Sequence, residues 1–304
     1  METERFAADV VEKVTRLLRL LADVHVHPFL SPRLVLKGGT ALNLFYLDLP
    51  RLSVDADMNY LGPASLADVT AERPSLLGAL QAISEGQGYR FRVAGDAHAS
   101  SALILGYRNA RGLQDTLKLE VNYMYRVSLG VPQEREARLT LSPPVRFRLV
   151  SLAELVGGKL VALLDRTAAR DLYDAAALAD IVDPGDRFMR RVFVAMGGLL
   201  PRRLSEYPVG RIERATDRDV ETNLYPILAS TDRPTREAML EKVRPWLGQW
   251  LALEPEEIEF HESLHSGVIR GNLLFPSEPT AANAVERHPG LLWKALNAAK
   301  KPRS

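Results

Sequence analysis

The chain has 304 residues, of which 46% are hydrophobic and 25% charged, and its net charge is +1. These totals are typical of a folded protein with one large domain or two smaller ones, and they exclude a disordered or fibrous chain. The absence of cysteine excludes disulfides, a thiolate nucleophile and a cysteine-based zinc site. Because the charge is balanced, any contact with a polynucleotide must be local.

The N-terminal residues are charged, and the apolar spacing over residues 3–23 predicts an amphipathic helix that buries one face. This pattern differs from the apolar core of a signal peptide. No run approaches the roughly 20 apolar residues that a membrane-spanning helix needs. We therefore expect a cytoplasmic protein with no membrane association.

A strand, a tight turn and a helix are predicted next. Residues 34–37 read as a short buried strand, Gly38-Gly39 as the turn, and residues 40–45 as a helix. Glycines permit close backbone approach, and the following helix N-terminus offers free N–H groups to an anion such as a phosphate. A plain strand-to-helix turn is the alternative, because the spacing matches neither a Walker loop nor the dinucleotide fingerprint.

Residues 52–58 alternate with period two, which predicts a half-buried strand with Asp55 and Asp57 on one face, about 7 Å apart. Two carboxylates at that spacing repel each other unless a cation is shared, and Mg²⁺ prefers such oxygen ligands. Without other signals, a solvated edge strand is the alternative. Ser53 faces the same way, and we hypothesise that it contacts a nucleotide and is a phosphorylation switch.

A helix over residues 76–84 and strands over 89–93, 101–107, 116–123 and 145–150 are predicted further along. Alternation along the strand over residues 116–123 places Lys118 and Glu120 on one of its faces. If that strand neighbours the strand of Asp55 and Asp57, Glu120 completes a metal triad. The alternative is a salt-bridged surface strand.

From residue 151 the pattern is mainly helical. Ser151 and Glu154 form a capping box, and helices are predicted around residues 152–165, 168–180, 187–198, 234–251 and 283–300. We place the domain division near residue 150. Basic clusters at Arg190-Arg191, Arg202-Arg203 and residues 300–303 are interpreted as solvated surface, the first two being weak candidates for RNA contacts.

Two segments carry a resemblance to a known family. Residues 36–42 (Leu-Lys-Gly-Gly-Thr-Ala-Leu) and 51–57 (Arg-Leu-Ser-Val-Asp-Ala-Asp), followed by Lys159, Arg166 and residues 170–174, resemble the nucleotidyltransferase toxins of the AbiEii/MenT family, the toxin half of type IV toxin–antitoxin systems. The resemblance implies an α/β (α+β) fold. Residues 1–150 would form a DNA polymerase β-like core with a mixed sheet, and residues 151–304 a helical domain that completes the nucleotide and RNA cleft.

The resemblance also implies roles for individual residues. Catalytic roles fall on Asp55, Asp57, Glu120, Lys159 and Asp171, of which the first three hold Mg²⁺. Nucleotide binding falls on Lys37, Gly38, Gly39, Thr40, Ser53, Arg166 and Arg170. Many nucleotidyltransferases carry serine where this chain has Gly39, so Thr40 is expected to replace that contact with phosphate. Asp171 would hold Lys159 or the nucleotide, whereas Arg170 and Asp174, spaced i,i+4, could instead brace a helix.

The implied reaction is transfer of nucleotides from an NTP to the 3′ end of tRNA, which blocks translation, and the implied partner is a cognate antitoxin. One alternative is nucleotidyl or phosphoryl transfer to a protein side chain by the same carboxylates. The other is a non-catalytic binding protein that retains the fold.

Overall fold

The computed structural model describes residues 4–300, so most of the basic tail at 300–303 lies outside the described residues. The chain divides into two compact units. The sheet unit takes in the chain up to Arg126, Pro132–Val150 and Ile227–Asp232. The helical unit takes in Val127–Val131, Ser151–Pro226 and the chain from Arg233 onward. The chain thus passes between units near residue 150, and short segments on either side of that point belong to the opposite unit.

A seven-stranded mixed sheet forms the centre of the sheet unit, in the order β3-β4-β5-β2-β1-β7-β6. The pairs β2/β5 and β1/β7 are parallel, and the other neighbours are antiparallel. This is the mixed α/β sheet that the sequence predicted. The strands are β1 (Leu34–Lys37), β2 (Asp55–Tyr60), β3 (Arg90–Asp96), β4 (Ser100–Arg108), β5 (Gln114–Asn122), β6 (Gln133–Glu136) and β7 (Arg146–Leu149).

One face of this sheet is buried and the other, called here the open face, is not. On the buried face Leu103, Leu117 and Leu119 are at most 2% exposed. Helix α1 (Ala8–Val26) contacts β7, and helix α3 (Leu66–Gly86) contacts both α1 and β3. Between them, the short helix α2 (Gly38–Ala41) follows β1 directly and continues into a wider helical turn over Leu42–Tyr46. Each large apolar side chain that these elements bury contributes about 1.5–3 kcal/mol. The alternate positions of the strands therefore point to the open face, where most side chains remain half-buried or exposed.

The helical unit begins where Ser151 caps helix α4, and its Oγ accepts a hydrogen bond from the backbone N–H of Glu154 at 3.2 Å. The Glu154 carboxylate also accepts bonds from Ser128 Oγ (2.8 Å) and Leu129 N (3.1 Å), which tie Val127–Val131 to this helix. The helices are α4 (Leu152–Arg166), α5 (Ala169–Leu178), α6 (Arg187–Gly197), α7 (Asp217–Asp219), α8 (Arg236–Leu251), α9 (Pro255–His265), α10 (Gly271–Leu274), α11 (Pro279–Arg287) and α12 (Pro289–Ala299). Within residues 4–300, no helix combines the length and apolar character needed to cross a bilayer.

Several boundaries differ from the sequence prediction for physical reasons. Strand β2 begins at Asp55 rather than residue 52, because Leu52 N donates to Ile227 O (2.9 Å) and Arg51 forms an isolated bridge with Leu228. The single helix predicted over 283–300 is two helices, because His288 precedes Pro289 and is extended (φ −64°, ψ 117°). Strand β6, helix α9 and the short helices α7 and α10 were not predicted.

His261 in α9 makes the stability of the protein depend on pH. It is 1% exposed. Burial, and to a smaller extent the nearby charge of His265, lower the pKa of His261 to about 4, although the backbone of Val194 opposes the shift. The folded-state pKa thus lies below the ordinary value of about 6.5, so this stabilisation is complete above pH 6.5 and is lost as the pH falls toward 4.

We expect wild type to lose about 2 kcal/mol of unfolding free energy through this residue between pH 7.5 and pH 5. The His261→Leu variant should lack that loss, because leucine does not titrate. Urea denaturation at both pH values measures the difference. A His98→Gln variant, changed at an exposed histidine, serves as the control and should follow wild type. An equal pH-dependent loss in wild type and His261→Leu would contradict this assignment.

Candidate active site

Three carboxylates lie on two neighbouring strands of the open face. Asp55 and Asp57 alternate along β2, and β5 runs parallel beside it with Glu120 in register with Asp57 and Lys118 in register with Asp55. Register partners in neighbouring strands are about 4.8 Å apart and point the same way. The sequence made Glu120 a candidate on the condition that these strands are neighbours, and the structure meets that condition. The catalytic role of the three carboxylates stays a prediction.

These carboxylates are half-buried, and they lack partners among the residues that the structure describes. Among residues 4–300, no hydrogen bond or ion pair engages the carboxylate oxygens of Asp55, Asp57 or Glu120. The salt-bridged surface strand considered for Glu120 is therefore not what the structure shows. Three negative charges on adjacent positions repel one another, and a cation between them would relieve that repulsion.

The donor set fits a magnesium ion that retains other ligands. Within the described part of the chain, no three histidine, aspartate or glutamate side chains converge into a complete ligand set for a metal ion. Mg²⁺ is usually held by one or two carboxylates together with waters and substrate phosphates, not by a closed protein cage. Asp55 and Asp57, two free carboxylates on one strand face, have that character.

The Gly38-Gly39 turn packs directly against this carboxylate face. Gly38 has φ +72°, and a Cβ there would lie 2.8 Å from Asp57 Oδ2. A Cβ at Gly39 would lie 2.6 Å from a terminal nitrogen of Arg51 and 3.2 Å from Ser53 Oγ. Only glycine allows both the left-handed backbone and this close approach. The turn that the sequence predicted therefore lies in contact with Asp57 and Ser53.

Thr40 and Ser53 are joined by a hydrogen bond behind the turn. The Thr40 hydroxyl, in a residue 1% exposed, lies 2.9 Å from Ser53 Oγ and also donates to the backbone carbonyl of Asp55. This geometry fits a positioning role for Thr40, which orients Ser53 and the start of β2, better than the direct phosphate contact predicted for it. Ser53 is half-buried and remains the candidate for a nucleotide contact.

Two residues that the sequence prediction gave no role support the turn. Arg51 is 3% exposed, lies against Gly39 and donates to Leu52 O at 3.3 Å. Asn43 is fully buried, and its Nδ2 donates to Gly39 O at 3.0 Å. The period-two spacing of Arg51 with Ser53, and the i,i+4 spacing of Asn43 with Gly39, were the available signals. Neither spacing shows burial, which requires the tertiary structure.

Lys37 lies at the end of β1, in register with Asp57 on antiparallel strands, and therefore shares its face. Its Nζ lies 5.3 Å from the centre of the Tyr125 ring. A lysine over an aromatic face is attracted by the ring quadrupole. Lys37 is thus positioned beside the carboxylates by an aromatic contact rather than by an ion pair.

A second polar cluster lies inside the helical unit. Lys159 of α4 pairs with Asp174 Oδ2 at 2.6 Å and with Asp171 Oδ1 at 3.3 Å, and both aspartates belong to α5 and are fully buried. Arg166 donates two hydrogen bonds to the Asp171 carboxylate, from Nε to Oδ2 at 2.6 Å and from Nη2 to Oδ1 at 2.9 Å. Burial raises the pKa of Asp171, but hydrogen bonds from Arg166 and the charge of Lys159 outweigh it and hold that pKa below its usual value.

This cluster changes two sequence interpretations. The Arg170–Asp174 helix brace is wrong, because Asp174 points inward to Lys159 while Arg170 is exposed. Asp171 does hold Lys159, which was one of its two predicted tasks. The part of Lys159, Asp171, Arg166 and Arg170 in nucleotide binding stays a prediction.

Three arginines of the two clusters considered for RNA contacts, Arg190, Arg191 and Arg202, already have side-chain contacts, whereas Arg203 is engaged through its backbone. Arg190 forms a forked pair with Glu257 at 2.7–2.8 Å, and Arg191 lies 3.8 Å from Glu278. Arg202 lies over the Tyr207 ring, and Arg203 N donates to Glu206. These contacts give Arg190 in particular a structural role within the helical unit, and they weaken it as an RNA ligand.

Comparisons with known proteins agree with this geometry. A family model described as the nucleotidyl transferase AbiEii toxin of type IV toxin–antitoxin systems matches residues 19–252, more than half of the chain. The solved structure of the nucleotidyltransferase toxin MenT4 from Mycobacterium tuberculosis superposes with a TM-score of 0.62 at 18% identity, covering 96% of this chain and 94% of that one. JHP933 from Helicobacter pylori gives a TM-score of 0.52 at 19% identity, covering 86% and 97%. No curated protein matches the chain by sequence.

By class, the protein is a nucleotidyltransferase. The family match specifies the class more closely: the chain belongs to the AbiEii family of nucleotidyl transferase toxins of type IV toxin–antitoxin systems. Membership confirms the resemblance inferred from the two glycine and aspartate segments. It also implies an antitoxin partner. The solved structures, at under one-fifth identity, support the fold alone.

The Gly38→Ala substitution tests the turn. A methyl group there meets Asp57 Oδ2, and alanine disfavours the left-handed backbone of this position, so we expect the free energy of unfolding to fall by about 1–2 kcal/mol. Gly78, an exposed glycine within α3 with open space around it, is the control, and Gly78→Ala should raise stability by about 0.5–1 kcal/mol. Urea denaturation measures both. Equal effects of the two substitutions would contradict the close packing of Gly38.

The Asp174→Ala substitution tests the buried cluster. It removes the nearer carboxylate from buried Lys159, and we expect a loss of about 3 kcal/mol or more, because a buried charge without its partner is costly. Asp165, an exposed residue of the same α4 helix, gives the control Asp165→Ala, expected within about 0.5 kcal/mol of wild type. A loss below 1 kcal/mol for Asp174→Ala would show that the pair is not structural.

Proposed function

We propose that this protein transfers a nucleotide from an NTP to the 3′ hydroxyl of tRNA in a reaction that requires Mg²⁺, and so blocks translation. The observation that supports it is the placement of Asp55, Asp57 and Glu120 beside the Gly38-Gly39 turn, with no partner for their carboxylates within residues 4–300. Free carboxylates next to a glycine turn suit a polyphosphate and its cation. Family membership supports the transferase chemistry.

Asp55 and Asp57 would hold the metal. Bound there, Mg²⁺ would supply charge neutralisation for the triphosphate. The acceptor oxygen forms a bond to the α-phosphorus, the bond to the pyrophosphate breaks, and pyrophosphate leaves with the electron pair. Glu120, in register with Asp57, is the residue that accepts the proton of the attacking hydroxyl.

The turn and the serine behind it serve the triphosphate. The Gly38-Gly39 backbone can approach phosphate oxygens closely because no Cβ intervenes. Ser53, positioned by its hydrogen bond with Thr40, can exchange that bond for one that donates its hydroxyl to the same group. Arg51 lies under Gly39, so its guanidinium keeps a fixed positive charge below the turn. Each of these contacts is within the sheet unit.

Within the helical unit, Lys159 is held by two carboxylates in a fixed position. We propose that this fixed positive charge takes part in nucleotide binding, the role that the family resemblance implies for Lys159. The Lys159→Arg substitution, which keeps a positive charge beside Asp171 and Asp174 but changes its shape and position, separates this role from stability. Its effect on the KM for NTP would be the informative quantity.

An assay with purified wild-type and Asp57→Asn protein tests the proposal. Each is incubated with total tRNA, Mg²⁺ and each NTP labelled at the α-phosphate in turn. We expect label on tRNA from wild type, and at least a 100-fold loss with Asp57→Asn, because losing one charged group at the reacting phosphate costs about 2.7 kcal/mol or more.

The control is Asp48→Asn, the same chemical change at an exposed aspartate that should keep full activity. Chelation of Mg²⁺ by EDTA should abolish labelling. Wild-type protein that labels no tRNA with any NTP would contradict the proposal. Label that migrates with protein instead would favour transfer to a protein side chain. The absence of label on both tRNA and protein would favour a binding protein.

A further inference from the structure

A strip of positive charge runs across the open face beside the carboxylates. It is formed by Arg90 and Arg92 of β3, Arg108 of β4 and Lys118 of β5, called here the basic strip. All four side chains are exposed. They share the open face because they occupy the same alternating positions as Glu120, through the pairs Arg92↔Ile104 and Ile104↔Lys118.

The register leads the strip to the candidate active site. Arg92, Ile104, Lys118 and Asp55 are successive register partners across β3, β4, β5 and β2. Three strand spacings of about 4.8 Å place Arg92 roughly 14 Å from Asp55. One row further along, Arg90 is in register with Gly106. The charges thus begin beside Asp55 and continue away from it.

The surface between these charges carries mainly small side chains. Ala102, Gly106 and Thr116 occupy open-face positions of β4 and β5. Ile104, also on this face of β4, is the largest apolar side chain between the charges. Small side chains leave a shallow floor that is half-buried at Ala102 and Gly106 and exposed at Thr116. Long arginine side chains at its rim can reach a ligand lying on that floor. The shape suits an extended chain rather than a compact ligand in a pocket.

The cations of the strip differ in their partners from several other arginines of this protein. Arg33, Arg73 and Arg190 each form an ion pair with a carboxylate. In the described part of the chain, no carboxylate pairs with the side chains of Arg90, Arg92, Arg108 or Lys118. Within the same residues, these side chains form one hydrogen bond, which Arg108 donates to Gly112 O. Their charges are therefore available to a ligand from outside.

We propose that the basic strip binds the phosphodiester backbone of a single-stranded RNA whose 3′ end lies at Asp55 and Asp57. This inference rests on the proposed function and names the surface that binds its acceptor. The three carboxylates repel a polyanion, and four cations spread over about 14 Å offset that repulsion. Successive phosphates match such a row, whereas one triphosphate would need charge concentrated at the turn.

The experiment compares wild type with the triple variant Arg90→Gln/Arg92→Gln/Arg108→Gln. The control, Arg187→Gln/Arg218→Gln/Arg287→Gln, makes the same charge change at exposed arginines of the helical unit. The probe is a fluorescein-labelled single-stranded RNA of about 12 nucleotides, long enough to cover the strip. Fluorescence anisotropy gives the Kd over a range of salt concentrations.

Loss of three phosphate contacts should weaken RNA binding roughly 100-fold at about 0.1 M salt and lower the slope of log K against log salt by about 2. The control should stay within about twofold of wild type. In the labelling assay, the KM for tRNA should rise in the strip variant while the KM for NTP stays unchanged. Together these results would support the strip as the site of the acceptor backbone.

Unchanged RNA affinity and salt slope in the strip variant would overturn the inference, and the transferase could still modify tRNA through another surface. If wild type binds the RNA through the strip but labels no RNA with any NTP, the proposed function fails while the binding surface stands. Label on a protein with no measurable RNA binding would overturn both.

Discussion

The parallel pairing of β2 with β5 is the interaction on which the candidate active site depends. It places Glu120 directly beside Asp57 and leaves three carboxylates on one face with no partner within the described residues. Backbone hydrogen bonds and the buried leucines of the opposite face hold this register, because a shift of one residue would turn the carboxylates into the core. The folding free energy of the sheet therefore offsets the repulsion between them.

The close packing at the glycine turn follows from the same constraint. The Gly38-Gly39 turn can approach Asp57 and Ser53 because neither glycine carries a Cβ, and buried Arg51 and Asn43 hold it from the other side. Order at the turn thus comes from residues that do not themselves face a ligand. In the helical unit, Lys159 is held in a comparable way by two buried aspartates. Both clusters fix the position of a charged group before any ligand binds.

Sequence patterns predicted the parts of this protein that are local. Alternation along residues 52–58 placed Asp55 and Asp57 on one face, and the Ser151 capping box located the start of α4, since both depend on neighbouring residues alone. The fold followed from a resemblance carried by two short segments. The neighbour of β2 could not be read from the pattern, because strand order depends on long-range pairing.

The partners of buried side chains could not be predicted from the sequence either. Asp174 was assigned to Arg170 by i,i+4 spacing, but its helix buries that face and Lys159 supplies the charge that a buried carboxylate requires. Arg190 was counted with a surface cluster, yet Glu257 of a distant helix binds it. In both cases burial decided the partner, and burial is a property of the packed chain.

The most direct measurement is a crystal structure of the protein with Mn²⁺, as an anomalous scatterer in place of Mg²⁺, and a non-hydrolysable NTP. We expect an anomalous peak within ligand distance of both Asp55 and Asp57, with the triphosphate against the Gly38-Gly39 turn and Glu120 facing the α-phosphate. A triphosphate bound elsewhere, or a metal that contacts neither aspartate, would contradict the assignment of this face as the active site.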